Sequence, residues 1–92
     1  MKASEILQSA TDTISERGLS YGHPADNLSH TAMLLSAYLQ MPIHDYQVAG
    51  IMVLVKLART NQSAQHLDNW IDLCSYASIG GQLATEENDL YV

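Results

Sequence analysis

Residues 48–59, Val-Ala-Gly-Ile-Met-Val-Leu-Val-Lys-Leu-Ala-Arg, constrain this chain more than any other stretch. The first eight of them are all apolar or glycine. At helical spacing, apolar side chains then point in nearly every direction around the axis, and such a helix is a buried one. Lys56 and Arg59 stand three residues apart, so both project from nearly one side of its C-terminal half. An unpaired buried charge costs on the order of several kcal/mol. The fold must therefore supply an anion, either a carboxylate of this chain or a ligand.

A chain of 92 residues makes one small domain. Small domains bury a smaller share of their surface. With 47% hydrophobic residues, this one is expected to hide the remainder in an oligomer interface, at least a dimer. The formal charge is −6, from 4 Lys+Arg against 10 Asp+Glu. That balance leaves no electrostatic footprint for duplex nucleic acid. Glu86, Glu87 and Asp89 account for three of those negative charges, and −6 less −3 leaves about −3 on the body. A small anion can still be held at a local basic site. The single cysteine, Cys74, allows no internal disulfide and fits a reducing compartment. The first residues, Met1-Lys2-Ala3-Ser4-Glu5, lack the apolar core of a signal peptide. No apolar run approaches the roughly 20 residues of a membrane span. The expectation is a cytoplasmic protein without a membrane partner.

Hydrophobic spacing predicts an all-α fold, a bundle of about four helices. The first spans residues 3–17, with Ile6, Leu7, Ala10 and Ile14 on one face and Gly18 as its stop. Residues 19–25 form a connector broken by Gly22 and Pro24; it carries Tyr21 and His23, either ligand contacts or ordinary turn residues. The second helix starts at Pro24 and runs to about Gln40, with a seam of Leu28, Ala32, Leu35 and Leu39 and with His30 near it. Met33, Leu34 and Tyr38 lie off that seam. Pro42 stops the helix, and Asp45 suits the N-cap of the third. A short polar break at residues 60–63 favours an antiparallel hairpin of helices three and four. The fourth helix is expected from residue 63 or 64 to about 84, with Leu67, Trp70, Ile71, Cys74, Ala77, Ser78 and Gly81 as its packing stripe. Asp68, Asp72 and Tyr76 follow at steps of four in one polar column. The domain is thus residues 1–84, and residues 85–92 read as a solvated acidic tail.

With the hairpin centred near Gln62, Lys56 lies six residues before the centre and Asp68 six after it. Lys56 should then reach Asp68 or Asp72, and Arg59 should lie near His66. Such a cluster has two readings. It is a satisfied ion-pair network that fixes helix register, or it lines a ligand site.

Three motifs bear on that choice: Tyr21-Gly22-His23-Pro24 with Asn27, Lys56-Leu57-Ala58-Arg59, and Asp68-Asn69-Trp70-Ile71-Asp72 followed by Tyr76. Over about residues 16 to 84 this pattern resembles a family of small bacteriophage and prophage proteins. More distantly it is similar to nucleotide-modification-associated phage domains and to the all-α MazG-like nucleoside triphosphate pyrophosphohydrolases. The resemblance implies a nucleotide ligand, with Lys56 and Arg59 on phosphate, Asp68, Asn69 and Asp72 on ribose or base, and Tyr21, His23, Trp70 and Tyr76 around it. MazG-like sites hold magnesium on Glu-Glu-x-x-Glu and Glu-x-x-Asp motifs. Here Asp68 and Asp72 stand where the second would be. The first has no counterpart, because the second helix offers only Asp26, Asn27 and His30.

The expectation is accordingly a phage nucleotide-binding protein of the host cytoplasm, without catalytic residues or cofactor, one that sequesters a nucleotide signal or metabolite in a counter-defence role. The first alternative is a magnesium-dependent nucleotide pyrophosphohydrolase with Asp68 and Asp72 as metal ligands. The second is an inhibitor of a host enzyme, acting through Met33, Tyr38, Met41 and the acidic tail.

Overall fold

A computed structural model describes residues 1–86, apart from the side chain of Tyr21. It contains four helices: α1 (Ala3–Tyr21), α2 (Pro24–Leu39), α3 (Asp45–Thr60) and α4 (Leu67–Thr85). There is no strand among the described residues. The α3 and α4 helices share the most extensive contact; α1 lies against α4, α2 lies against α3, and α1 barely touches α2. No helix is long and apolar enough to cross a membrane, among the described residues.

The helix boundaries follow from local chemistry, and several differ from the sequence expectation. The α1 helix passes through Gly18 and ends one turn later at Gly22, whose φ is 82°. The stop is set by Pro24, which bars His23 from helical geometry. Gly22 supplies the positive φ that a side chain would resist. Its N–H donates to the Gly18 carbonyl at 3.0 Å. His23 then caps α2, its Nδ1 accepting the Ala25 N–H at 2.9 Å. Pro24 takes the first helical position, where its missing N–H costs nothing.

At the other end of α2, Gln40 adopts the left-handed conformation at φ 54°. The Ser36 hydroxyl accepts the Ile43 N–H at 2.9 Å and ties the α2–α3 link to α2. The N-cap of α3 is His44 rather than Asp45, which occupies the first helical position. Gln47 Oε1 accepts the His44 N–H at 2.8 Å, the returning half of a capping box. The α4 helix begins only at Leu67, because residues 61–66 are held in turns by bonds such as Ser63 N–H to the Arg59 carbonyl.

The core joins Ala25, Leu28 and Ala32 of α2, Val48 and Ala49 of α3, and Ile79 and Leu83 of α4. Ile14, Leu35 and Ile43 pack against its edge. Burying side chains such as Leu28, Ile79 and Leu83 contributes about 1.5–3 kcal/mol each. Two expectations fail here. The α3 helix is not buried all round: Val48, Ala49 and Thr60 are enclosed, whereas Ile51, Leu54, Val55 and Leu57 are exposed. The packing seam of α4 is Ile71, Ser75, Ile79 and Leu83, at steps of four, while Ala77, Ser78 and Gly81 face solvent. Small residues carry too little hydrophobic signal to choose between adjacent stripes. His30, expected near the seam, is also exposed.

The close α3–α4 approach runs through Gly80. A Cβ there would stand 3.2 Å from Ala49 Cβ and 3.7 Å from the Tyr46 carbonyl oxygen. Of the expected tail, Thr85 closes α4 and Glu86 caps it. Residues 87–92 lie outside the described residues.

Candidate functional site

The polar column of α4 is where the helices meet in charge. Lys56 Nζ stands 2.9 Å from Asp72 Oδ2, with side chains only 13% and 18% exposed. The middle of the 56–72 pair falls at residue 64, two residues beyond the expected hairpin centre. The longer link at residues 61–66 explains the shift, and with it the choice of Asp72 over Asp68. Arg17 approaches the same carboxylate from α1, with Nη2 at 3.9 Å from Oδ1. Its Nη1 donates to the Tyr76 hydroxyl at 3.4 Å. Arg17 is 49% exposed, far more than Lys56.

A cleft of about 400 Å³ opens beside this cluster. Ile14, Leu28 and Ile79 form its apolar wall. Its polar groups are Arg17, His23, Asn27 and Tyr76, and Gly18, Gly22 and Pro24 complete the lining. The lengthened α1 places Arg17 at this wall, and the Gly22–Pro24 turn places His23 and Asn27 opposite. The tautomer of His23 follows from its cap: Nδ1 accepts a bond, so Nε2 carries the proton of the neutral ring. Glu86 reaches that nitrogen from the end of α4, with Oε1 at 3.9 Å. Arg17 and Lys56 against Asp72 and Glu86 balance to zero here, in a chain of −6.

The residues expected at the site divide into four groups. Lys56, Asp72 and Tyr76 come together, joined by Arg17, and His23 lines the adjoining cleft. Arg59 and Asp68 stand exposed and make no ion pair among the described residues. Asn69 is buried in the first turn of α4, and its N–H donates to the His66 carbonyl. Trp70 is tied down by its Nε1, which donates to the Ala64 carbonyl at 2.8 Å. The Tyr21 side chain lies outside the described residues. Sequence reasoning missed Arg17, which it placed at a helix end. Taking Pro24 as the stop would have put Arg17 inside the helix.

The donor set also bears on metal chemistry. No group of three or more His, Cys, Asp or Glu side chains could hold an ion, among the described residues. Asp72 is already engaged by two cations, and Asp68, one turn earlier on α4, is exposed and pairs with no cation among the described residues. Asp68 and Asp72 alone supply two carboxylates, so any magnesium there would need substrate phosphates and water for its remaining ligands.

The sequence of this all-α bundle belongs to a phage protein family. Residues 5–84 match the model described as "Domain of unknown function (DUF6378)", and the chain belongs to that family. It is 41% identical over 73 residues to the Gene 55 protein of Mycobacterium phage D29, covering 78% of this chain and 48% of that protein. It is 30% identical over 88 residues to the Gene 55 protein of Mycobacterium phage L5, covering 94% of this chain and 56% of that protein. The chain thus spans about half the length of these relatives. No solved structure matches it.

Proposed function

We propose that this protein binds a small phosphorylated ligand of nucleotide type in the cleft between α1, the α1–α2 turn and α4, and that it does so without turning the ligand over. The observation that carries this reading is the state of Arg17. Its guanidinium has five N–H donors, is half exposed at the cleft wall, and among the described residues is engaged only at 3.9 and 3.4 Å. It keeps donors available for a phosphate, the group its fork geometry suits best. The cleft volume of about 400 Å³ falls within the range of roughly 300–1,000 Å³ typical of small-molecule sites.

In this reading Ile14, Leu28 and Ile79 receive the flat face of a base. His23 and Asn27 contact its edge or the sugar. Lys56 stays with Asp72, and Asp72 orients Arg17 rather than meeting the ligand. Tyr21 keeps its expected place beside the ligand on the strength of its motif alone. Arg59, Asp68 and Asn69, expected from spacing to join the site, have no role in it. The antiparallel pairing of α3 and α4 is part of the proposal. Its support is that Lys56 meets Asp72 while the earlier Ala49 meets the later Gly80. In this reading the ligand is a nucleotide signal or metabolite sequestered within the infected cell, a setting that fits the phage origin of the relatives. The pyrophosphohydrolase alternative would need Asp68 and Asp72 to share a metal, and their placement gives it no support.

Calorimetry with a panel of mono-, di- and cyclic nucleotides tests the proposal. Saturable binding that weakens about tenfold or more in Arg17→Met, about 1.4 kcal/mol, is the expected result. If the folded protein takes up none of them, the reading is wrong.

A further inference from the structure

The outward side of α3 is an apolar surface that neither the core nor the cleft uses. Gly50, Ile51, Leu54, Val55, Leu57 and Ala58 are all exposed and fall within one half of the helix circumference. Gln47 is the polar residue among them, and no ionisable side chain interrupts the face. Leu54 is 64% exposed, Leu57 45%, and Ile51 and Val55 39% each. The opposite half holds Val48, Ala49, Lys56 and Thr60 and packs inward. The apolar pattern of α3 thus serves two sides, and the single chain covers one of them.

We infer that this outer face of α3 pairs with the same face of a second copy, in a reversible two-fold dimer. Three observations favour a second copy as the occupant. An isologous contact needs a surface that tolerates itself, and this face has no charge to repel its image. Two chains of −6 each can approach on an uncharged face while their acidic groups remain in solvent. Gly50 has nothing within 4 Å of a Cβ position, so a partner helix can come close there.

The area sets the strength. A helix of 16 residues presents one face of on the order of 400–500 Å² per copy, close to the ~1,000 Å² total at which specific contacts begin. Contacts at this low end of the size range are weak and transient, so the dimer should be a reversible one.

Sedimentation equilibrium of the whole chain from about 5 µM to 1 mM tests this directly. The mass should rise from 10.1 kDa toward twice that value with concentration. Leu54→Glu buries a carboxylate without a partner and should raise Kd at least about 30-fold, with helix content by circular dichroism unchanged. Tyr38→Glu on α2 should leave Kd within about twofold. Should Leu54→Glu lose helix content, a nitroxide on Ala58→Cys, in a Cys74→Ser background, serves instead; dipolar coupling between chains is then expected. A single-chain mass at 1 mM, absence of that coupling, or a dimer broken by Tyr38→Glu but not by Leu54→Glu would overturn the inference. The cleft is on other elements, so nucleotide binding by a monomeric protein would leave the previous reading intact while ending this one.

Discussion

The α4 helix meets α3 on one side and α1 on the other, and the two contacts are built differently. Toward α3 the join is tight: Gly80 admits Ala49, and Lys56 holds Asp72 at 2.9 Å with both side chains largely covered. Toward α1 it is loose: Arg17 spans 3.9 Å to Asp72 and 3.4 Å to Tyr76, and stands half in solvent beside a cleft. The same carboxylate serves both. Its strong pairing is structural, and its weak pairing leaves a guanidinium in reserve. Stability should therefore be concentrated on the α3 side of α4, and binding on the α1 side.

Substitutions can break that contrast, beginning with the largest effect. Gly80→Leu forces a side chain into Ala49 and the Tyr46 backbone, and should cost about 3 kcal/mol. At roughly 4–8 °C per kcal/mol for a domain of this size, the melting temperature should fall by more than about 10 °C. Asp72→Ala leaves Lys56, 13% exposed, without its partner. We expect about 2 kcal/mol of destabilisation by urea unfolding, less than a fully buried pair because both groups retain some solvent. Replacing both partners by apolar residues, Lys56→Met with Asp72→Leu, should recover most of that loss; no recovery would show the pair is not the cause. Gly22→Ala must adopt a φ of 82° and should cost about 1–2 kcal/mol, chiefly seen as fraying between α1 and α2 in hydrogen exchange. Arg17→Met should have the smallest effect on stability, within about 0.5 kcal/mol by urea unfolding. If Arg17→Met destabilised as much as Asp72→Ala, the two contacts would be alike and the contrast would be lost.

How far the sequence disclosed this arrangement depends on what kind of signal each part carries. The all-α class was plain, because Leu28, Ala32 and Leu35 repeat at helical spacing and Pro24 and Pro42 mark breaks. Lys56 was narrowed to two aspartates by hairpin geometry. The turn chemistry of residues 61–66 then decided for Asp72, and that chemistry was invisible to a count of residues. The α4 seam was misread because Ser75 lies inside and Ala77 outside, a difference of position that polarity does not report. The pairing of Arg17 with Asp72 joins α1 to α4 across three intervening links, and no local spacing rule reaches that far. The cleft is the product of that same tertiary contact. The part proposed to bind a ligand was accordingly the part least available before the fold was known.

The most direct test of the account is a map of amide chemical shifts during titration with the tightest-binding nucleotide of the panel. Perturbations that cluster on Arg17, Gly22, His23, Asn27 and Tyr76, with Arg59 and Asp68 unmoved, are the result predicted here. Shifts centred on Arg59 and Asp68, or none anywhere at saturating nucleotide, would contradict it.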